Sequence, residues 1–146
     1  MASELSTLNF ADDLAEARQV HDAHRWVLEH RGDLEVWATV APEGHENDQF
    51  IARLFWIEYP GAEPPSVKFV HQATGRLDVQ TAWPQAPGFR PTSFDICANW
   101  TAEGFALHPE WRKDTRVRWQ SEGNVLLKEL RILVHVLDTG YQGRFK

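Results

Sequence analysis

"IEYPGAEPPSVKFV", residues 57–70, sets three prolines and a glycine between two apolar runs. The run that leads into it, "QFIARLFWIEY" (residues 49–59), is apolar on both faces near its middle and reads as a long central strand. The run that leaves it, "SVKFV" (residues 66–70), reads as a short third strand. Upstream, "LEVWATV" (residues 34–40) alternates with β-branched and aromatic content, and "APEGHEND" supplies a polar turn. Strands joined by a short polar loop pair antiparallel, so this stretch predicts a three-strand meander. Pro64 and Pro65 each fix φ and lack a backbone donor, so they end strand pairing and stiffen the chain before it turns back.

Helices bracket the meander. In "FADDLAEARQVHDAHRWVLEH" (residues 10–30), Phe10, Leu14, Ala17, His21, His24 and Leu28 recur at spacings of three and four. That predicts one long amphipathic helix, with Asn9 as N-cap, Asp12 and Asp13 at the positive end of the dipole, and Gly32 as the stop. In "NVLLKELRILVHVLDTG" (residues 124–140), Leu126, Leu130, Leu133 and Leu137 share a face, opposite Lys128, Arg131 and His135. Asn124 or Ser121 can cap its start and Gly140 its end. Between meander and last helix, residues 71–96 lose periodicity, and "WPQAPGFRP" (residues 83–91) reads as an irregular surface loop. Such a long irregular stretch inside one domain is more often functional than idle. At its end, in "FDICANW" (residues 94–100), stands Cys97, the chain's one cysteine. The expected architecture is a single α+β domain over residues 1–146.

Composition narrows the functional classes. A 42% hydrophobic and 25% charged chain is that of a soluble globular protein. Fifteen basic against 21 acidic residues leave a formal charge of −6, which is not a nucleic-acid footprint. No apolar run reaches membrane-spanning length, and the acidic start "MASELSTLNFADDLAE" lacks the order of a secretory signal. A lone thiol fits a reducing cytoplasm, and the charge balance and the lack of a membrane-length run leave neither nucleic acid nor membrane among the expected partners.

With the element order in place, the chain resembles the ubiquitin-conjugating-enzyme (UBC) family. The family's Tyr-Pro…Pro-Pro-x-Val-x-Phe signature is matched by Tyr59, Pro60, Pro64, Pro65, Val67 and Phe69. Ile96-Cys97, then Trp111, then a helix from about residue 124 follow in the family's order. Three residues separate the proline pairs where two are usual, and the stretch from Phe69 to Cys97 is long. The His-Pro-Asn tripeptide before the cysteine is absent; "HPEW" (residues 108–111) comes after it, with Glu110 where asparagine would stand. The chain is therefore similar to divergent members, such as the conjugating enzyme of the ubiquitin-fold modifier and bacterial conjugating enzymes.

The resemblance implies a UBC-like fold and an acyltransferase without a cofactor or a metal. Cys97 would carry a ubiquitin-like modifier as a thioester, received from an activating enzyme, and pass it to a lysine of a protein substrate. The N-terminal helix would dock the activating enzyme, with Arg18 and Arg25 as exposed contacts. A thiolate nucleophile that must meet a bulky donor belongs on a loop. No lysine or arginine lies within five residues of Cys97, and Asp95 disfavours the thiolate. For the oxyanion of the tetrahedral intermediate, the nearest side-chain amide is Asn99 and the nearest downstream imidazole is His108. Asp95 can orient or deprotonate the incoming lysine. Trp100 and Trp111 read as framework.

Other readings compete. Free cysteine is among the most buried residue types, so Cys97 can be a structural thiol in a non-catalytic UBC-fold binding module. A metal site assembled from His21, His24, Cys97 and His108 is a third possibility, although no Cys-x-x-Cys or His-Glu-x-x-His pattern supports it. Neither a Gly-x-Ser-x-Gly nor a glycine-rich phosphate loop occurs.

Overall fold

A computed structural model describes residues 2–146. Its architecture is α+β: an N-terminal helix, a four-strand antiparallel sheet, an irregular segment with a small hairpin and a short helix, and a C-terminal helix. The elements are α1 (Glu4–Ala17), β1 (Trp26–Gly32), β2 (Glu35–Val40), β3 (Phe50–Phe55) and β4 (Ser66–Val70). They continue as β5 (Phe89–Arg90), β6 (Asp95–Ile96), α2 (Ala102–Leu107) and α3 (Val125–Gly140). No helix is long and apolar enough to cross a membrane among the described residues.

The main sheet runs β1-β2-β3-β4, each strand antiparallel to its neighbour. Expected strands β2, β3 and β4 are present; β1 is an addition that the sequence reading placed in a helix. The helix stops at Ala17, and Trp26–Gly32 pairs with β2 instead. The apolar stripe reached past Ala17 only by counting His21 and His24, which are exposed residues of the connecting turns. From Trp26 the burial alternates, Trp26 and Leu28 inward, Val27 and Glu29 outward, which is a strand's period. Trp26 also closes the helix end, its Nε1–H donating to the Ala17 carbonyl at 2.9 Å. The N-cap is Ser3, whose hydroxyl accepts from the Ser6 N–H, so Asn9 is an interior helical residue. Gly32 ends β1 rather than a helix.

The inward face of the sheet presents Leu28, Val36, Ala38, Val40, Phe50, Ala52, Leu54, Val67 and Phe69, all buried. Against it lie Phe10, Leu14 and Ala17 of α1 and the leucine stripe of α3, where Leu126, Leu130, Leu133 and Leu137 are fully buried. Asn124 caps α3, its Oδ1 accepting from the Leu127 N–H, while its Nδ2 donates to the Asp13 carbonyl and to Glu16 of α1. Arg25 binds Asp138 of α3 through both terminal nitrogens. It lies outside α1 and is half-buried by that pairing, where an exposed helical residue was expected. Arg18 stays at the surface, donating to the Leu28 carbonyl.

Tyr59 explains why the proline segment holds both helices. It is 2% exposed; its hydroxyl donates to Asp13 of α1 and accepts from the Leu126 N–H in the first turn of α3. Its backbone N–H donates to Ser6. Burial, and then the hydrogen bond to Asp13, push the phenol well above its ordinary pKa, so it stays a donor. Tyr59→Phe is expected to lower stability by about 2 kcal/mol, because it strands a buried N–H as well as removing a bond. Urea unfolding checks the value. NMR titration of Asp13, already raised chiefly by burial, is expected to show a further rise once the phenol is gone.

Candidate functional site

Cys97 leaves the end of β6, in the small hairpin that ends the irregular stretch. The hairpin pairs Phe89 with Ile96 and Arg90 with Asp95, around the turn "PTSF". Phe94 closes that turn at φ 57°, a left-handed conformation unusual for an aromatic residue. Lys68 of β4 steadies it, its Nζ donating to the Phe94 carbonyl at 2.6 Å. Phe89 and Ile96 are buried against the sheet, so the hairpin is fixed to the core.

Two backbone contacts then fix Cys97 itself. Its N–H donates to the Gly88 carbonyl at 2.9 Å. Gly88 has φ +85°, and a Cβ there would lie 3.0 Å from the Cys97 carbonyl oxygen, so both conformation and space call for glycine. On the far side, α2 presses against Ala98, with Gly104 at the point of closest approach. Thr101, fully buried, joins these parts: its hydroxyl donates to the Ile96 carbonyl at 2.6 Å and accepts from the Gly104 N–H at 3.0 Å. The start of α2 is tied to the proline segment by Ala102 N–H to the Pro65 carbonyl, and by Glu103 accepting from Ser66 and the Val67 N–H. Pro64 and Pro65 are buried there. The stiff crossing therefore braces the cysteine segment through α2.

Cys97 is a free thiol of intermediate exposure, neither sealed in the core nor standing fully in solvent. Asp95 is not free beside it: Arg90 grips it with two hydrogen bonds of 2.7 Å. That fork offsets the negative charge that the sequence alone sets next to the thiol. Arg90 is held more firmly protonated, chiefly by its hydrogen bond to Asp95. Asn99 is exposed and donates through Nδ2 to the Val117 carbonyl at 3.1 Å, tethering the 113–120 loop to the cysteine segment. His108 lies beyond α2, bonded to Glu110 and stacked on Trp111 at 4.4 Å between ring centres.

The four sequence-predicted residues thus fall into two groups. Asp95, Cys97 and Asn99 share one short segment, and His108 belongs to a separate aromatic cluster in which Trp111 meets Phe105 edge-on. Trp100 is buried framework, 6% exposed. Arg90, Thr101 and Gly104 were missed. Arg90 was within reach, since "FRPTSFDI" has the paired ends of a hairpin around four turn residues. Thr101 and Gly104 signal nothing without the helix between them.

His21, His24, Cys97 and His108 do not form a ligand set: among the described residues, no group of three or more His, Cys, Asp or Glu side chains is gathered for a metal ion. His21 stands 91% exposed at its side chain beside Asp22. Comparison with protein-family models, with curated proteins and with solved structures finds no match for this chain.

Proposed function

We propose that this protein is a ubiquitin-like protein conjugating enzyme of UBC-like fold, with Cys97 as its nucleophile. The observation that carries the reading is a free, partly exposed cysteine on a rigid mount. Cys97 is partly exposed, and the backbone on either side of it is clamped by Gly88 and by α2. That clamp leads back to the segment holding Tyr59, Pro64, Pro65, Val67 and Phe69, all of them buried.

The chemistry is two acyl transfers. The Cys97 thiolate attacks the thioester carbonyl of a modifier held by its activating enzyme, and the enzyme's thiolate leaves as the new thioester forms. A lysine amine of the target then attacks that carbonyl. Its proton passes to a base or to water, and Cys97 departs as thiolate from the collapsing intermediate. Asn99, two residues beyond Cys97, is the proposed side-chain donor to the oxyanion. One of its two amide hydrogens is engaged with Val117, which orients the other. Asp95, held by Arg90, supplies an orienting carboxylate for the amine. His108 is left out of this scheme: it lies past α2, with Nδ1 facing Glu110 and its ring stacked on Trp111. Docking of the activating enzyme falls to the outer face of α1, where Leu5 and Leu8 are exposed near Ser3.

Loading with the cognate activating enzyme, modifier and ATP, read on a non-reducing gel, tests the proposal. A thiol-sensitive adduct is expected in the native protein and none in Cys97→Ala. An unchanged adduct in Cys97→Ala, or no adduct in the native protein, overturns it. Retained binding of the modifier without an adduct assigns the chain to non-catalytic binding modules.

A further inference from the structure

The chain carries a formal charge of −6, yet residues 112–118, "RKDTRVR", hold four cations and one anion. The structure sets this basic loop beside the cysteine. Asn99, two residues and so at most about 7 Å of backbone beyond Cys97, donates from its side-chain amide to the Val117 carbonyl at 3.1 Å, which ties the loop to the cysteine segment. Both flanks are secured. On one side Arg112 forks onto Glu63 of the proline segment. On the other, Lys128 of α3 donates to the Gln120 carbonyl at 2.6 Å and lies 5.4 Å from the Trp119 ring.

Two of the four cations are already matched, Arg112 by Glu63 and Arg116 by Asp114. Lys113 and Arg118 are exposed and have no acidic partner among the described residues. Asp95, the acid nearest the thiol in sequence, is neutralised by Arg90. The tethered loop therefore adds unmatched positive charge to the surface joined to the cysteine segment, whose own acidic residue is offset. Fixed charges at this range act on an approaching ion at low salt and are screened at high salt.

We propose that the loop formed by residues 112–118 is a cationic strap that selects an acidic peptide segment arriving at Cys97. The inference deepens the conjugating-enzyme reading and rests on it: the strap would favour a donor or acceptor polypeptide with Asp or Glu close to its reacting group. The contact is electrostatic and needs no rearrangement, since the strap is already anchored at Glu63, Asn99 and Lys128.

Thiol reagents of different charge test the strap without any conjugation partner. Cys97 is modified with 2-sulfonatoethyl, methyl or 2-(trimethylammonio)ethyl methanethiosulfonate, and each rate is divided by that reagent's rate with 2-mercaptoethanol. At low ionic strength the normalised rate for the anion is expected to exceed that for the cation by about fivefold. The preference is expected to fall below about twofold in the double variant Lys113→Ser, Arg118→Ser, and in about 0.5 M salt. Equal normalised rates, or a preference that survives in the double variant, overturn the strap while leaving the reachable thiol intact. Failure of all three reagents in the native protein, with rapid reaction after denaturation, overturns the nucleophile and the strap together.

A second arm locates the acidic segment. A peptide thioester with Glu beside its acyl group reports the donor side. A lysine peptide flanked by Glu, added to the loaded enzyme, reports the acceptor side. A glutamate-over-lysine preference in either arm, lost in the double variant, supports the proposal and names the side; no preference in both arms overturns it.

Discussion

Gly104→Ala is expected to destabilise the protein by about 3 kcal/mol or more, although alanine is the better helix former. At an exposed helical site this change gains up to about 1 kcal/mol. Here it meets backbone. A Cβ on Gly104 would sit 2.0 Å from the Ala98 carbonyl oxygen, 2.7 Å from its nitrogen and 2.8 Å from its carbonyl carbon. None of these is the end of a flexible side chain, so either α2 or the cysteine segment has to move bodily. Moving α2 breaks the Thr101 cap and the Ala102 and Glu103 bonds to the start of β4. Moving the cysteine segment breaks Cys97 N–H to Gly88 and the Thr101 hydroxyl to Ile96. Urea denaturation measures the loss. Faster reaction of Cys97 with a neutral thiol reagent, before any global unfolding, would show that the segment is what gives way. A variant as stable as the native protein would contradict the packing described.

Glu129→Leu is expected to have the opposite sign and to stabilise by about 2 kcal/mol at neutral pH. Glu129 lies in the leucine stripe of α3; it is fully buried, and neither carboxyl oxygen has a hydrogen-bond partner among the described residues. Burial pushes its pKa well above the ordinary value of 4.5, with Lys128 opposing the shift and Glu103 adding a little to it, so the folded chain favours the neutral acid. The folded chain therefore keeps a proton that the unfolded chain releases around its ordinary pKa. The stabilisation linked to that proton is complete below about pH 4.5 and is lost as pH rises toward the folded pKa, at about 1.4 kcal/mol per unit. In Glu129→Leu this slope disappears, and the gap between the variants widens with rising pH. Glu129→Gln removes the slope but keeps an unpaired polar group, so its gain is smaller. Unfolding midpoints between about pH 5 and pH 8 check all three proteins. A Glu129→Leu variant less stable than the native protein throughout that range would mean that the carboxyl has a partner in solution.

How much of this was legible in the sequence depends on how far each residue's partner lies along the chain. The α3 stripe, Leu126, Leu130, Leu133 and Leu137, needed only its own period, and its Asn124 cap stood next to it. Strands β2 and β4 were bounded by turn residues and alternated; β3 read as an eleven-residue run apolar on both faces, of which only Phe50–Phe55 pair, with one face buried and the other half-buried. β1 was lost because two histidines filled a helical stripe at His21 and His24, while "WVLEHRG" shows only two inward residues from which to recognise a strand. Helix α2 has six residues, with glycine in its interior and a proline two residues past its end, so its period was too short to register. At the site, Cys97 and its loop were apparent, but the engagement of Asn99 with Val117, 18 residues away, depends on the tertiary path. The same holds for Glu63 and Arg112, and for Tyr59 reaching both helices. The α+β order was local information; the bracing of the cysteine was not.

If Cys97 accepts a modifier as proposed, that bracing bears on how fast and how tightly the donor engages the thiol. Gly88 behind the cysteine and α2 in front of it leave the nucleophile's own chain little freedom to lose when a visitor arrives. Encounters then resemble a plug meeting a rigid socket, in which the adaptability belongs to the incoming tail and ordering on this side adds no entropic toll to complex formation.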